Sequence, residues 1–327
     1  MKIGKMPAAK LEEIVLNKIG YKRDDVLVHA GIGEDCSVVD LNDQLLVISS
    51  DPITGASKNA GYLAVHVACN DIAAAGAEPI GIQVILLLPE EIDEVEIANL
   101  MNEITETAAS INVEVLGGHT EILSAVSKPI ICVTAVGKVE KDKVCSSADA
   151  MPGDDIVVTK GVGIEGTYIL ANDYSDLLKE NGVSVDIIEN ALTYKNKLSV
   201  INESRIAVRH GANAMHDITE GGLYGALEEV SQAAEVGFDL YMDNLPISEE
   251  TEVISGAMKI DPAGLISSGS MLITVPESED LLKELKCQGI KAAKIGIVTE
   301  KEKNIIISGE KKAFVWSNKD ELWRLME

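Results

Sequence analysis

The sequence predicts an α+β protein of two domains, and three observations carry that expectation. The 327 residues exceed what one hydrophobic core organises, so two units of roughly 150 residues each are expected. Short β-rich runs are interleaved with longer stretches of 3.6-residue periodicity, without the strict strand–helix alternation of a doubly wound parallel sheet. A polar stretch, residues 146–154, ends in a Pro152-Gly153 turn and reads as a domain seam. The boundaries drawn from it are 1–148, a mixed α/β domain, and 149–327, an α+β sandwich.

In chain order, Pro7 followed by Leu11, Ile14, Val15 and Ile19, with Gly20 after them, has helical spacing, a proline suited to a first turn and a glycine stop. Residues 45–50 and 81–88 are strand-sized, and residues 58–75 and 90–112 have helical periodicity. Strand character returns at 113–116 and 129–139. Beyond the seam, strands are expected at 155–159, 238–242, 270–275, 292–299 and 304–308. Helices are expected at 164–172, 198–210, 223–234 and 279–287, with a short terminal one at 320–327.

Composition narrows the function classes. Fifty-three acidic residues against 28 basic ones give a net charge of −25, which repels nucleic acid and anionic membrane surfaces. It leaves ATP open, because a phosphate site needs only local backbone N–H groups, a few lysines and bound cations. Apolar runs such as residues 82–88 are far shorter than the roughly 18 residues that span a bilayer. No apolar segment follows the lysines of residues 1–10, so a cytoplasmic location is expected. The five cysteines, Cys36, Cys69, Cys132, Cys145 and Cys287, never fall at Cys-x-x-Cys spacing, so neither a zinc site nor a disulfide framework is indicated. Cys69, Cys132 and Cys287 sit in apolar surroundings that suit small core residues. Cys36 adjoins Asp35, whose charge raises a thiol's pKa, so a structural role is expected there too.

Four segments of the first half could carry chemistry. Gly31-Ile32-Gly33-Glu34-Asp35 has glycines that let backbone approach a phosphate and carboxylates that could hold its Mg²⁺, although the same pattern makes an ordinary surface turn. Ser49-Ser50-Asp51-Pro52 puts a carboxylate at a strand end, where Pro52 is expected to stop the pairing. Asn70 and Asp71 are polar groups in the small-residue helix that ends Ala73-Ala74-Ala75-Gly76, and groups in that setting need partners, a metal or a cap. Leu116-Gly117-Gly118-His119-Thr120-Glu121 reads as a strand running into a glycine turn with metal-capable side chains. In the second half, Asp217 and Glu220 of His216-Asp217-Ile218-Thr219-Glu220-Gly221-Gly222-Leu223 fit a capping-box variant or an anion-facing helix start, and His216 could be buried or face a cleft. Lys160-Gly161-Val162-Gly163-Ile164-Glu165-Gly166-Thr167 lacks the Gly-Lys-Ser/Thr ending of a Walker loop.

Taken together, the identity and order of these motifs resemble the superfamily of aminoimidazole ribonucleotide synthetase (PurM) and the hydrogenase-maturation protein HypE. Asp261-Pro262-Ala263-Gly264-Leu265, Ser268-Gly269-Ser270 and Ile295-Gly296-Ile297-Val298 extend the likeness over nearly the whole chain. The resemblance implies N-terminal domains that pair into a homodimer, with ATP lying between domains near that interface. By position it implies Asp35, Asp51 and Asp71 as Mg²⁺ ligands, with Asn70 beside them. Gly31, Gly33, Gly117, Gly118 and Thr120 would line the phosphates, and Asp51, Asp71 and His119 would serve the reaction. That reaction places the ATP γ-phosphate on an amide, thioamide or related oxygen of a small-molecule or protein acceptor.

The pattern departs at two points. His119 stands where many relatives carry Asp, and Glu121 is the candidate replacement metal ligand. The sequence ends Leu322-Trp323-Arg324-Leu325-Met326-Glu327, without the terminal cysteine on which HypE carries its carbamoyl group. Two other readings follow: a nonenzymatic nucleotide-binding maturation scaffold, and a small-molecule kinase of the thiamine-monophosphate type. A selenophosphate-synthesising enzyme is not expected, because no Cys or Sec loop precedes Gly31.

Overall fold

A computed structural model describes residues 8–14, 16–18, 23–53 and 59–325. Of the expected first helix, α1 (Ala8–Ile14) and a 3₁₀ turn, Leu16–Lys18, are present, while Pro7, Val15, Ile19 and Gly20 lie outside the described residues. So do Lys58, the expected start of the second helix, and Met326 and Glu327 at the end of the last. The chain forms two compact units. Residues 23–29 and 35–144 make the first, and residues 8–14, 16–18, 30–34 and 145–325 belong to the second, which departs from the expected division at 148. The chain thus leaves the first unit at Val144, just ahead of the polar seam, and the segment with Gly31 and Gly33 packs with the second unit.

The first unit is one mixed six-stranded sheet under two helices. Its strands are β1 (Val26–Val28), β2 (Ser37–Asp40), β3 (Leu45–Ile53), β4 (Glu78–Leu88), β5 (Glu114–Ile122) and β6 (Ile130–Val139), in the order β1-β2-β3-β6-β4-β5. Among the described residues β4 and β5 run parallel and the other neighbours antiparallel. Alternation fixes the faces: Leu45, Val47 and Ser49 of β3, Ile131, Val133 and Ala135 of β6, and Ile82, Val84 and Leu86 of β4 all point inward and are buried. α2 (Ala60–Ala74) covers that face, and its alanines let it lie close. α3 (Glu94–Ser110) packs on α2 and starts at a capping box, Asp93 accepting from the Glu96 N–H and Glu96 from the Asp93 N–H.

Two strand expectations are corrected here. Pro52 does not stop β3, which pairs with β6 through Ile53, Pro52 lying opposite Cys132. β2 pairs with β3 only from Leu45 to Ile48, so beyond that point no strand among the described residues pairs with that edge of β3, and a missing N–H there costs no ladder bond. Likewise Gly117-Gly118-His119-Thr120-Glu121 is not a turn but the body of β5, an edge strand.

The second unit holds a mixed seven-stranded sheet. Its strands are β7 (Asp155–Thr159), β8 (Ala214–Ile218), β9 (Gly237–Tyr241), β10 (Ser270–Val275), β11 (Ala292–Thr299), β12 (Lys303–Ile307) and β13 (Glu310–Ala313), in the order β13-β12-β9-β11-β7-β10-β8. β9 and β12 are the parallel pair. Its helices are α4 (Ile164–Asp173), α5 (Ser175–Glu180), α6 (Val185–Leu192), α7 (Ile201–Arg209), α8 (Gly222–Ala234), α9 (Glu249–Met258), α10 (Glu279–Cys287) and α11 (Glu321–Arg324). One core joins the sheet to α8 through Val158, Leu272, Phe238, Leu223 and Leu227. Another gathers Leu170 of α4, Ile188 of α6 and Ile254 of α9 around Leu265 and Leu322. Two mixed sheets with helices make this an α+β protein.

The periodic reading missed β1, β8, β13, α5, α6 and α9. β8 is buried at all five positions, so it has no alternation to read, and the short helices are too brief for a period to emerge. Cys287 is exposed at the end of α10 and is not the core residue its neighbours suggested, because it lies on the face opposite Leu281 and Leu285. Cys69 and Cys145 are buried, and burial pushes each thiol up to about 12, which leaves them protonated and inert.

Candidate functional site

In the first unit the chemistry collects where β3, α2 and the approach to β2 meet. Ser49 and Asp51 are two apart on β3 and share its inner face. The Ser49 hydroxyl donates to the Asp71 carboxylate across to α2, and both residues are buried. The Cys36 thiol donates to the Asp71 carbonyl oxygen at 3.1 Å, which draws in the chain that begins with Asp35. Two hydrogen bonds therefore tie together the three segments bearing Asp35, Asp51 and Asp71. Asn70, adjacent to Asp71 on α2, is fully buried. Ser49 was not singled out from the sequence, although its two-residue spacing from Asp51 was the available signal.

β5 divides the remaining candidates between two faces. Asp51, Val133, Val84 and Gly118 form one row across the sheet, so Gly118 is three strand spacings from Asp51, about 14 Å. Gly118 and Thr120 alternate onto the inner face. His119 and Glu121 fall in rows with Ile85 and Leu87 and project from the outer face, where both are exposed and stand 3.5 Å apart, His119 Nε2 to Glu121 Oε2. Within one chain the structure groups Asp51 with Asp71 and separates His119 and Glu121 from them. Among the described residues no three His, Cys, Asp or Glu side chains come together as a metal-holding group.

Gly118 has its own structural reason to be glycine. At φ 154° a Cβ would stand 1.8 Å from the Val84 carbonyl oxygen of β4, whereas at Gly117, φ 148°, nothing lies within 4 Å. Gly33 is likewise a close approach: its Cβ would meet the Glu229 carbonyl oxygen of α8 at 2.5 Å. Next to it Glu34 accepts from the Ser146 hydroxyl at 2.6 Å.

In the second-unit motif the capping-box reading is corrected, while the start of α8 faces a carboxylate of this chain. Asp217 lies inside β8 and does not cap α8, whose N-cap is Gly221 at φ 91°. The Gly221 N–H is taken by Asp320, 99 residues later, at 2.6 Å. A tertiary partner of that separation leaves no local pattern to read. His216 is buried, with Nδ1 3.1 Å from the Ser147 hydroxyl and Nε2 3.0 Å from Glu229. Lys160, set aside as a phosphate-loop residue, is an internal staple: its ammonium pairs with Glu203 at 2.5 Å and donates to the Ser199 and Gly269 carbonyls at 2.7 and 2.8 Å.

Two mixed sheets in separate units, with oxygen donors gathered on one face of the first, define an acidic two-unit α+β protein whose first unit offers hard ligands. Comparison with known proteins assigns it further. The chain belongs to the AIR synthase-related family: residues 33–139 match the family described as AIR synthase related protein, N-terminal domain, and residues 151–308 match its C-terminal domain. It is 27% identical to a candidate hydrogenase expression/formation protein of Methanocaldococcus jannaschii, over 94% of each chain. It is 26% identical to a selenide, water dikinase of Carboxydothermus hydrogenoformans, over 86% of this chain and 89% of that one. Among solved structures, hydrogenase maturation protein HypE in complex with ATP superposes with a TM-score of 0.72 at 20% identity, covering 99% and 98% of the two chains. AaThiL complexed with AMPPCP and TMP gives 0.73 at 21%, covering 94% and 97%. These likenesses establish the PurM/HypE fold. No helix among the described residues is long and apolar enough to cross a membrane.

Proposed function

We propose that this chain is an ATP- and Mg²⁺-dependent enzyme that activates an amide, thioamide or related acceptor by phosphoryl transfer. The observation that carries the reading is the hydrogen-bonded junction of Ser49, Cys36 and Asp71, which gathers the segments of Asp35, Asp51 and Asp71. The donor set fits the ion. Mg²⁺ favours carboxylate oxygen, keeps several waters and is commonly held by one or two carboxylates together with substrate phosphates. Asp51 on the inner face of β3 and Asp71, bonded to Ser49 of that face, offer carboxylates of that kind. Asp51 and Asp71 would hold the cation with Asp35 and Asn70 beside them, and the bound ion would offset charge on the phosphoryl oxygens. Gly117, Gly118 and Thr120, of the same unit, are the proposed phosphate-side positions. Relatives that include a selenide, water dikinase and a carbamoyl dehydratase HypE of Rhodobacter capsulatus support an enzyme.

Isothermal titration of ATP with Mg²⁺ into wild type and Asp51→Asn tests this. Wild type should bind, and the variant should lose at least about tenfold in affinity, about 1.4 kcal/mol. Equal binding, or none in wild type, overturns the reading. Where the γ-phosphate ends up then separates acceptor activation from a kinase of the thiamine-monophosphate type, and steady acceptor-stimulated hydrolysis excludes a scaffold.

The homodimer belongs to the same proposal. The outer sheet face carries exposed Ile85, β5 offers an unpaired edge, and Leu116 lies over Gly81 on that side, half exposed. His119 and Glu121 share this face and are better suited to such an interface than to the Asp51 cation of their own chain. Leu116→Glu should convert a dimer to monomer in sedimentation velocity; an unchanged dimer would rule out this face.

A further inference from the structure

Two buried carboxylates of the second unit lie close together without an ion pair. Glu165, in the first turn of α4, is 7% exposed, and Asp320, just ahead of α11, is 2% exposed. They stand near enough that the charge of Glu165 acts on Asp320. Neither is paired with a lysine, arginine or histidine among the described residues, and Oε2 of Glu165 has no hydrogen-bond partner there.

The contacts of both groups suit the anion. Asp320 accepts from the Gly221 N–H at 2.6 Å on one oxygen and from the Leu322 N–H at 2.7 Å on the other, and Gly221 is the N-cap of α8. The Ser268 N–H and hydroxyl face Glu165, whose place in the first turn of α4 sets it against the positive end of that helix. Each of these neighbours donates, and donors favour the ionised carboxyl. Burial acts the other way. It raises Glu165 and, with Glu220 and Glu165 adding their charge, pushes Asp320 up to about 7. Two carboxylates held by donors in the interior are stabilised by a positive partner, because an unpaired charge is costly to bury.

The surroundings also select the kind of cation. The Trp316 ring stands over the same helix start, where a Cβ on Gly221 would meet it at 2.9 Å. The Trp323 indole N–H donates to Glu220 at 2.9 Å. Both rings and Glu220 are partly exposed, so the carboxylate pair lies just beneath the surface. A primary ammonium fits that setting: its N–H groups suit carboxylate oxygens with lone pairs to spare, and its charge and alkyl stem suit an indole ring. We propose that Glu165 and Asp320 bind the ammonium group of a small primary amine beside Trp316 at the start of α8.

Methylammonium is the probe, and saturation-transfer NMR of its methyl group is the measurement. It is titrated into the full-length protein at constant ionic strength without nucleotide or Mg²⁺, so the outcome is independent of the phosphoryl-transfer reading. Wild type should show saturable transfer. Glu165→Gln, which keeps the shape and removes the charge, should bind at least about tenfold more weakly. Tetramethylammonium, equal in charge but without N–H donors, should bind wild type at least about tenfold more weakly than methylammonium. An equimolar addition of Mg²⁺ should leave the methylammonium signal in place. Transfer that does not saturate, unchanged binding by Glu165→Gln, equal binding of tetramethylammonium or loss of the signal to Mg²⁺ would each overturn the site. Should the glutamine variant fail to fold, the wild-type titrations decide alone.

Discussion

Replacing Lys160 with methionine is expected to destabilise the second unit by about 3–5 kcal/mol, because it strands the Glu203 carboxylate in the interior. Glu203 is 2% exposed and its charge partner is the Lys160 ammonium. Lys160 reaches it from the end of β7 through a left-handed backbone, φ 58°, an uncommon conformation for a long side chain, stabilised by its own N–H to the Lys291 carbonyl at 2.6 Å. Burial holds the lysine below its ordinary pKa while Glu203 opposes the fall, so the pairing favours the charged lysine. The double variant Lys160→Met with Glu203→Leu should recover most of the loss, since a hydrophobic pair of similar volume is often neutral against a buried ion pair. Urea unfolding of the wild type, the single and the double variants measures all three. A single variant within about 1 kcal/mol of wild type would mean the pair is solvated.

Gly118→Ala should be the most disruptive change in the first unit, costing more than about 3 kcal/mol, because the added methyl falls against backbone that cannot swing aside. The clash is with the Val84 carbonyl in the middle of β4. Gly117→Ala meets open space and bears only its dihedral strain, roughly 1–2 kcal/mol. The pair of variants separates two roles. If Gly118 serves phosphate contact alone, its alanine variant melts like wild type and loses only nucleotide affinity. If it serves the β4–β5 ladder, the thermal midpoint falls well below that of Gly117→Ala.

Much of the fold was legible locally. β7, β10, β11 and α10 have the boundaries that periodicity and β-branched content set, and α3 and α8 differ from expectation by a few residues at their ends. Reading failed where the local signal pointed the wrong way. A glycine pair ordinarily breaks a strand, yet Gly117 and Gly118 continue β5, because only a residue without Cβ can lie that close to β4. Pro52 ordinarily ends pairing, yet β3 continues past it along an edge with which no strand among the described residues pairs.

The candidate site was legible as a set of residue types and not as an arrangement. The acidic residues, the glycines and their order determined the family, since motif identity is a property of the chain itself. Which side chains meet was decided by the pleat of β5, which sends His119 and Glu121 to one face and Gly118 and Thr120 to the other. It was decided also by the two hydrogen bonds that bring β3 and the approach to β2 onto Asp71. Asp320 on Gly221 and Glu203 on Lys160 are contacts between residues 99 and 43 positions apart. Local patterning reports which face of an element is apolar. The partner of a buried charge is chosen by tertiary packing, where desolvation makes an unmet group costly enough to fix its neighbour.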